Sequence, residues 1–480
     1  MSYPSTPDPA FRAAAHEATD SFGAIELPQG VWWGAQTQRS LEHFRIGHHT
    51  FGIKFIQALV TIKRACADTN LVEGRLDSVR CDAILAGCDR IMQGQYDDQF
   101  PLHVWQTGSG TQTNMNVNEV ISSLANDWLE QRQKAEGQSE THYRVHPNDH
   151  VNMSQSSNDI FPSAMHVAVA QATHHQLIPA IVALNEALGK KQKEFEHIFM
   201  VGRTHLMDAL PLPVSSLFSA FRAQLDQAKN ALTESLSHVY ALAVGGTAVG
   251  SGCNAPAGFG NKVAARLAEQ YGLPFYANPN LYAAVSGEDA LLRFSAATKQ
   301  LASVLFKIAN DFRLLGSGPR CGFNEWRLPA NEPGSSIMPG KVNPTQCEAL
   351  SMVSLQVMGN DLTVSLAAAQ GQLQLNVYRP VIIHNLMESI ELLTDSMTSF
   401  ADFCVRGLAL NEIQIRANMA RNLSVITLLA PSLGYDVAAR IVHHAHALNL
   451  SLGQAAQQLA LYDETAFDEL LRKALAEQER

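Results

Sequence analysis

The 480-residue sequence predicts a mainly α protein built around a bundle of long helices. Two observations carry that expectation. First, residues 214–244, 288–315 and 381–406 contain neither glycine nor proline. A helix of about 28 residues is about 40 Å long, and strands of such length are rare, so helix is the economical reading. Second, the apolar residues Leu291, Leu292, Phe294, Leu301, Val304, Leu305, Ile308, Phe312 and Leu315 fall largely three or four apart. So few polar residues separate them that more than one helix face must be covered, by other helices or by another subunit.

The remaining organisation follows from composition. The length exceeds one simple core and suggests several units or one elongated architecture. Hydrophobic residues make up 46% and charged residues 17%, a balance that favours order. The net charge of −10 argues against a broad nucleic-acid surface. No uninterrupted apolar run reaches the roughly 18 residues of a membrane span. The seven cysteines are scattered, odd in number and never spaced C-x-x-C, which points to a reduced intracellular compartment. Residues 1–10 read as a loose tail with no secretory h-region. Arg12 lies among alanines but Glu17 and Asp20 follow closely, so a cytoplasmic setting is expected, with a mitochondrial transit segment the weaker alternative. Composition shifts near 148–158 and 407–411 divide the chain into a mixed, mostly helical domain 1–155, a long-helix domain 156–412 and a small helical domain 413–480. Pro179 and Gly359 are expected to kink their helices.

Four polar segments interrupt this pattern. In Thr107-Gly108-Ser109-Gly110-Thr111, hydroxyls beside glycines leave backbone N–H groups open to an anion, although a ligand-free turn has the same composition. The second segment holds His146, Asn148, Asp149 and His150, then Ser156-Ser157-Asn158-Asp159 before an apolar stretch from Ile160. One of these residues caps the following helix, which leaves hydroxyls and amides for a carboxylate. In Gly202-Arg203-Thr204-His205 a histidine sits in a connection where it is suited to acid–base work, though a lone histidine is more often structural. His443, His444 and His446 resemble metal ligands but lie in an alanine-rich helical stretch and are read as incidental. The fourth segment is Gly334-Ser335-Ser336-Ile337-Met338-Pro339-Gly340-Lys341-Val342-Asn343-Pro344. It reads as a loop that closes over an anion, with Asn343 as the next helix's N-cap, Pro344 at N1 and Glu348 one turn in.

Together these segments resemble the fumarase/aspartase superfamily, whose signature is the 334–344 string. Trp33-Gly34-Ala35-Gln36-Thr37-Gln38-Arg39-Ser40, the 107–111 loop, Ser156-Ser157-Asn158 and Gly202-Arg203-Thr204-His205 resemble the class II fumarases. Aspartases typically carry Gln at the position of His205 and Thr at that of Ser157. The resemblance implies a three-domain fold with a central helix bundle and a homotetramer whose active sites each draw on three subunits. It implies no metal or organic cofactor, and the scattered cysteines agree with the absence of an iron–sulfur cluster. The implied reaction is reversible hydration of fumarate to (S)-malate through an aci-carboxylate carbanion. His205, oriented by Glu348, would handle water, and Ser335 would be the base, its alkoxide stabilised by N–H groups and Lys341. Ser109, Gly110, Thr111, Ser156, Ser157, Asn158, Thr204, Ser336, Lys341 and Asn343 would bind the substrate. His146, Asn148 and Asp149 correspond to a second carboxylate site. Two alternatives stand beside this reading. One is an aspartate ammonia-lyase, disfavoured by His205. The other is a non-catalytic structural member such as a lens crystallin, disfavoured by the joint presence of Ser335, Lys341, His205 and Glu348.

Overall fold

Helices dominate this computed structural model, which describes residues 16–136 and 143–478. The tail of residues 1–10 and Arg12 lie outside the described residues. The described residues open with the hairpin β1 (His16–Asp20) and β2 (Gly23–Leu27). Helices α1 (Ala35–His43), α2 (Ile53–Val72), α3 (Ser78–Met92), α4 (Thr111–Ala135), α5 (Ser157–Ala172) and α6 (Ile178–Glu194) follow. Next come the hairpin β3 (Phe199–Thr204) and β4 (Met207–Pro213), α7 (Val214–Val239), β5 (Ala241–Leu242), α8 (Phe259–Tyr271), β6 (Tyr276–Ala277), α9 (Leu281–Ser286) and α10 (Asp289–Leu315). The last part holds β7 (Trp326–Arg327), α11 (Thr345–Ala368), α12 (Arg379–Phe400), β8 (Ala409–Leu410), α13 (Glu412–Arg421), α14 (Ala430–Leu433), α15 (Tyr435–Leu448), α16 (Leu452–Gln458) and α17 (Glu464–Gln478).

The glycine- and proline-free runs form α7, α10 and α12. α7 stops at Val239 rather than at 244, because Ala241 and Leu242 leave the helix to pair in parallel with Tyr276 and Ala277. Pro179 does disturb its helix. It lacks an N–H, and the preceding residues Thr173–Leu177 form a wider i→i+5 turn in which the Ile178 N–H reaches the Thr173 carbonyl. At Gly359, α11 runs on without interruption. Helical dihedrals are open to glycine, which weakens a helix without breaking it.

Among the described residues the chain forms two compact units. The first comprises Met1–Pro179, Asn230–Gln300 and Leu355–Leu393. Its core joins α2 to α5, where the Phe55 and Phe161 rings meet edge to face at 5.0 Å and Phe51 lies 5.1 Å from Phe55. Each such fully buried side chain contributes roughly 1.5–3 kcal/mol. α3 and α4 approach closely at Gly87, where an added Cβ would stand 2.9 Å from the Ile121 carbonyl oxygen. On α11 the residues Leu355, Gly359, Leu362 and Leu366, spaced 4, 3 and 4 apart, are exposed, whereas Val357, Asn360 and Val364 are buried. The helix is therefore apolar on two faces.

The second unit comprises Ala180–Lys229, Leu301–Ser354 and Thr394–Arg480. Its core is aromatic. Trp326 stacks on Phe218 at 5.4 Å and takes Phe312 edge-on at 4.8 Å, and Phe312 meets Phe400 at 5.1 Å. A separate cluster, including Val425, Ile426, Ile441, Ala455 and Phe467, gives the C-terminal helices their own core.

By length and composition one helical stretch, Ser157–Glu194, is apolar enough to cross a membrane, although no uninterrupted apolar run of that length exists. Its most apolar window is 56% buried. The stretch also carries Asp159 and Ser163, both wholly buried and hydrogen bonded.

Candidate active site

In the first unit, α4 begins at a left-handed glycine. Gly110 has φ 74°, and an added Cβ would fall 2.2 Å from the Phe161 ring. Gly108 is tighter still, because a Cβ there would lie 1.5 Å from the Val377 carbonyl oxygen. These glycines set the loop's path, and Ser109 Oγ and Thr111 Oγ1 then stand 2.8 Å apart. The first helical turn begins beside these hydroxyls, and its Thr113 N–H is donated to Gln106 Oε1 at 3.1 Å.

Ser156 caps α5 in a reciprocal arrangement. Its hydroxyl accepts from the Asn158 N–H at 3.2 Å, and Asp159 Oδ1 accepts from the Ser156 N–H at 2.9 Å. Asp159 Oδ2 accepts further N–H groups from Gly245 at 2.9 Å and Thr247 at 3.0 Å. Burial pushes the Asp159 carboxyl up to about 6, against the pull of those donors. Asn158 donates from Nδ2 to the Ala248 carbonyl at 2.8 Å, and Ser157 Oγ accepts from Asn114 Nδ2 at 3.0 Å. Every side chain of this segment thus has a structural partner as well.

Pro162 adds a device that the sequence reading missed. Lacking an N–H, it frees the Asn158 carbonyl four residues earlier. Arg379 Nη1 takes that carbonyl at 2.8 Å while its Nε binds Glu288 at 2.6 Å, both side chains wholly buried. The α5 entry is therefore pinned from three sides.

His146, Asn148 and Asp149 are exposed on the wide turn Pro147–Val151. His146 Nδ1 accepts from the Asp149 N–H at 3.2 Å, and the Arg144 carbonyl accepts from Arg80 Nε at 3.0 Å.

In the second unit, Thr204 ends β3 and His205 stands with Leu206 at the tip of the β3–β4 hairpin. Their φ values are 56° and 61°, so both occupy the left-handed region that a two-residue hairpin turn of this type demands. Such turns favour Asn and Gly. A histidine held there costs roughly 1–2 kcal/mol, and strain of this kind is concentrated at functional sites. The stem is anchored by Arg203, whose Nη1 and Nη2 clasp the buried Glu325 carboxylate at 2.8 and 2.9 Å. Asn418 Nδ2 also donates to Glu325 at 2.8 Å, and the Arg203 guanidinium lies 4.5 Å over the Phe323 ring.

The 334–344 loop closes on itself. The Gly334 N–H donates to the Lys341 carbonyl at 2.9 Å, and Asn343 Nδ2 donates to the Gly334 carbonyl at 2.6 Å. This corrects the capping expectation. α11 starts at Thr345, the Pro344 carbonyl accepts the Glu348 N–H at 3.1 Å, and the Asn343 side chain ties the loop instead of capping. Ser335 Oγ accepts two main-chain N–H groups, from Ile337 at 3.2 Å and Met338 at 3.0 Å. Ser335 and Lys341 line a cavity of about 480 Å³, with Ser336 exposed beside them. A larger cavity, about 690 Å³, is lined by residues 245–282 of the first unit and holds none of the sequence-predicted site residues. Glu348 lies in the first turn of α11. Among the described residues, His205 and Glu348 share no hydrogen bond or ion pair within one chain. His443, His444 and His446 lie on α15, where His444 Nε2 pairs with Gln458 at 3.1 Å.

The Trp33–Ser40 motif has a structural explanation. The buried Glu119 carboxylate accepts N–H groups from Gly34, Gln36 and Thr37 and the Thr37 hydroxyl, fixing α1 on α4. A Cβ at Gly34 would strike that carboxylate at 2.8 Å. Sequence reasoning also passed over Lys63, Asn118 and Asn152, which with Asn114 form a largely buried polar cluster behind Ser157. The available signal was the polar row Asn114, Asn118, Ser122 and Asn126, spaced four apart on α4.

A long-helix bundle carrying such a serine-bearing, self-tied loop defines a class of lyases. The family model described as Lyase matches residues 23–359, and that described as Fumarase C C-terminus matches residues 425–475. The chain belongs to the class II fumarate hydratase family. It is 53% identical over 454 residues to Fumarate hydratase class II 1 of Pseudomonas aeruginosa, covering 95% of this chain and 97% of that one. It is 50% identical over 456 residues to Fumarate hydratase class II of Thermosynechococcus vestitus, covering 95% and 96% respectively. The crystal structure of recombinant class II fumarase from Schistosoma mansoni is similar with a TM-score of 0.90 at 44% identity, covering 95% of this chain and 98% of that one.

Proposed function

We propose that this chain is a hydro-lyase that interconverts fumarate and (S)-malate by anti addition of water through an aci-carboxylate carbanion. Within the family, the observation that carries the assignment of the base is the pair of main-chain N–H groups donated to Ser335 Oγ. A free serine is a poor base. Two N–H donors and the nearby Lys341 charge favour its alkoxide. In the malate-to-fumarate direction Ser335 takes the C3 proton, and charge flows into the adjacent carboxylate. Lys341, Asn343 and the first turn of α11 meet that charge. His205, oriented by Glu348, handles the leaving hydroxide. Its left-handed tip position supports a demand other than stability. Ser109, Gly110, Thr111, Ser156, Ser157, Asn158, Thr204 and Ser336 hold the dicarboxylate, and His146, Asn148 and Asp149 form a second carboxylate site.

The reading includes a homotetramer in which each site draws on three subunits, and the exposed apolar row on α11 supports assembly. It keeps the division into domains 1–155, 156–412 and 413–480, needs no metal or organic cofactor, and carries a cytoplasmic setting.

The test is to add fumarate and, separately, aspartate to purified protein and follow the absorbance of the conjugated double bond. Rapid loss of fumarate signal with malate formation is expected. Robust ammonia release from aspartate without malate turnover overturns the assignment. Subunit exchange between inactive His205→Asn and Ser335→Ala proteins should restore part of the activity. No recovery after confirmed exchange counts against shared sites.

A further inference from the structure

We propose that Lys63 is a positioning residue for substrate binding: by fixing the amides of Asn152 and Asn114, it leaves the Ser157 hydroxyl hydrogen for a substrate carboxylate. The inference rests on the reading of residues 156–158 as a substrate-binding segment.

Lys63 lies on α2 and is wholly buried. Its amine donates to Asn152 Oδ1 at 2.8 Å and to Gln155 Oε1 at 3.0 Å. The two ends of a carboxamide are alike in shape, and only their partners decide which way the group faces. With its oxygen claimed by Lys63, Asn152 turns Nδ2 to the Gln155 carbonyl at 3.4 Å. The same oxygen draws Nδ2 of Asn118 at 3.2 Å and Nδ2 of Asn114 at 3.3 Å. Asn114 Nδ2 lies 3.0 Å from Ser157 Oγ, so Ser157 is the acceptor in that contact. Its own hydrogen remains for another group. A carboxylate offers only acceptors, so a serine that spent its hydrogen inward would meet the substrate with lone pairs.

The orientation is imposed at a cost. Asn114 Oδ1 and Asn118 Oδ1 are buried with no partner among the described residues. Turned over, the Asn114 oxygen would accept the Ser157 hydroxyl hydrogen but would also face the Asn152 oxygen that Lys63 holds in place, at the 3.3 Å where Nδ2 now stands. Burial also lowers the Lys63 amine to about 7. A neutral amine still has two N–H bonds for its two acceptors, so the orientation survives loss of the charge. Lys63 additionally faces the buried Asp159 on α5, Cys88 on α3 and Cys66 on its own helix. Offsetting the Asp159 charge is a structural service that the test must separate.

The experiment is a double-mutant cycle on the full, assembled enzyme, read as KM and kcat, with melting and sedimentation to verify folding. Ser157→Ala should raise KM about 10- to 100-fold, the range for a hydrogen bond to a charged group. Lys63→Met should raise KM about tenfold with kcat within about twofold. In the Ser157→Ala background, Lys63→Met should add no more than about twofold. Should Lys63→Met fail to fold, Asn114→Leu breaks the same chain one link later and must meet the same criteria. If Ser157→Ala leaves KM unchanged, the substrate-binding reading fails and this inference with it. If Ser157→Ala raises KM while Lys63→Met does not, or the two effects simply multiply, that reading stands and the positioning role is refuted.

Discussion

Glu325→Gln probes how the hairpin tip bearing His205 is held. Glu325 has a side chain 0% exposed, and its partner Arg203 is 12% exposed. Both carboxylate oxygens are engaged, one by Arg203 Nη1 and the other by Arg203 Nη2 and Asn418 Nδ2. Glutamine keeps the shape but puts an NH₂ where an oxygen accepted, so it faces donors and leaves a guanidinium unpaired. Removing one partner of a buried pair costs about 3–5 kcal/mol. The glutamine oxygen, placed where Arg203 Nη2 and Asn418 Nδ2 donate, retains two contacts of about 1 kcal/mol each, and the expected loss is about 2 kcal/mol. Urea unfolding followed by circular dichroism, at matched protein concentration, measures it. Replacing both partners, as Arg203→Met with Glu325→Met, should recover much of the loss, since an apolar pair needs no compensation. Where the Gln variant remains folded, kcat should fall by up to about 100-fold, the effect of misplacing a catalytic group by about 1 Å. A loss under about 1 kcal/mol, or a double variant no better than the single one, refutes the clamp.

Lys63 sits at about 7 in the folded chain against an ordinary 10.5, so the unfolded chain binds more protons between those values. Stability therefore rises with pH across that window by up to about 1.4 kcal/mol per unit, and Lys63→Met should abolish the rise. Melts at about pH 7 and about pH 9 that shift alike in both proteins contradict this. His205→Asn should lower kcat by about 10²- to 10⁴-fold with little change in KM, and Ser335→Ala should do likewise while slowing exchange of the malate C3 proton into deuterated solvent. Exchange at the wild-type rate would remove Ser335 as the base. Gly108→Ala forces the 107–111 loop away from the Val377 carbonyl and should cost about 1–3 kcal/mol and raise KM. An unchanged melting temperature would show that the loop yields freely.

The long helices were legible because an absence of glycine and proline over some 28 residues leaves little else for the chain to do. The 334–344 loop was legible because glycine, proline and lysine crowd where a plain turn needs no charge. The β3–β4 hairpin was not. Its turn uses His205 and Leu206 where local chemistry favours Asn and Gly, so the usual hairpin signal is missing. Arg203 and Glu325 lie too far apart in sequence for any local rule to pair them. Lys63 stands in a segment, Thr61-Ile62-Lys63-Arg64, that reads as an ordinary helix with two outward basic residues. Its burial depends on Asn152 and Gln155, which only the folded chain brings to it. Interactions set by tertiary packing were lost, whereas those written into a contiguous string were kept.

The row Leu355, Gly359, Leu362 and Leu366 on α11 bears on what stability means for this protein. Each leucine in the row is 57–60% exposed and forgoes roughly 1–2 kcal/mol until something covers it. In the proposed homotetramer, where copies of the chain would cover one another there, folding and association would share one equilibrium, and dilution would act as a denaturant. The open space over Gly359 lets a neighbouring backbone approach more closely than any larger residue would allow. A bulky substitution there would leave the single chain's interior untouched and still lower the melting temperature, most visibly in dilute solution.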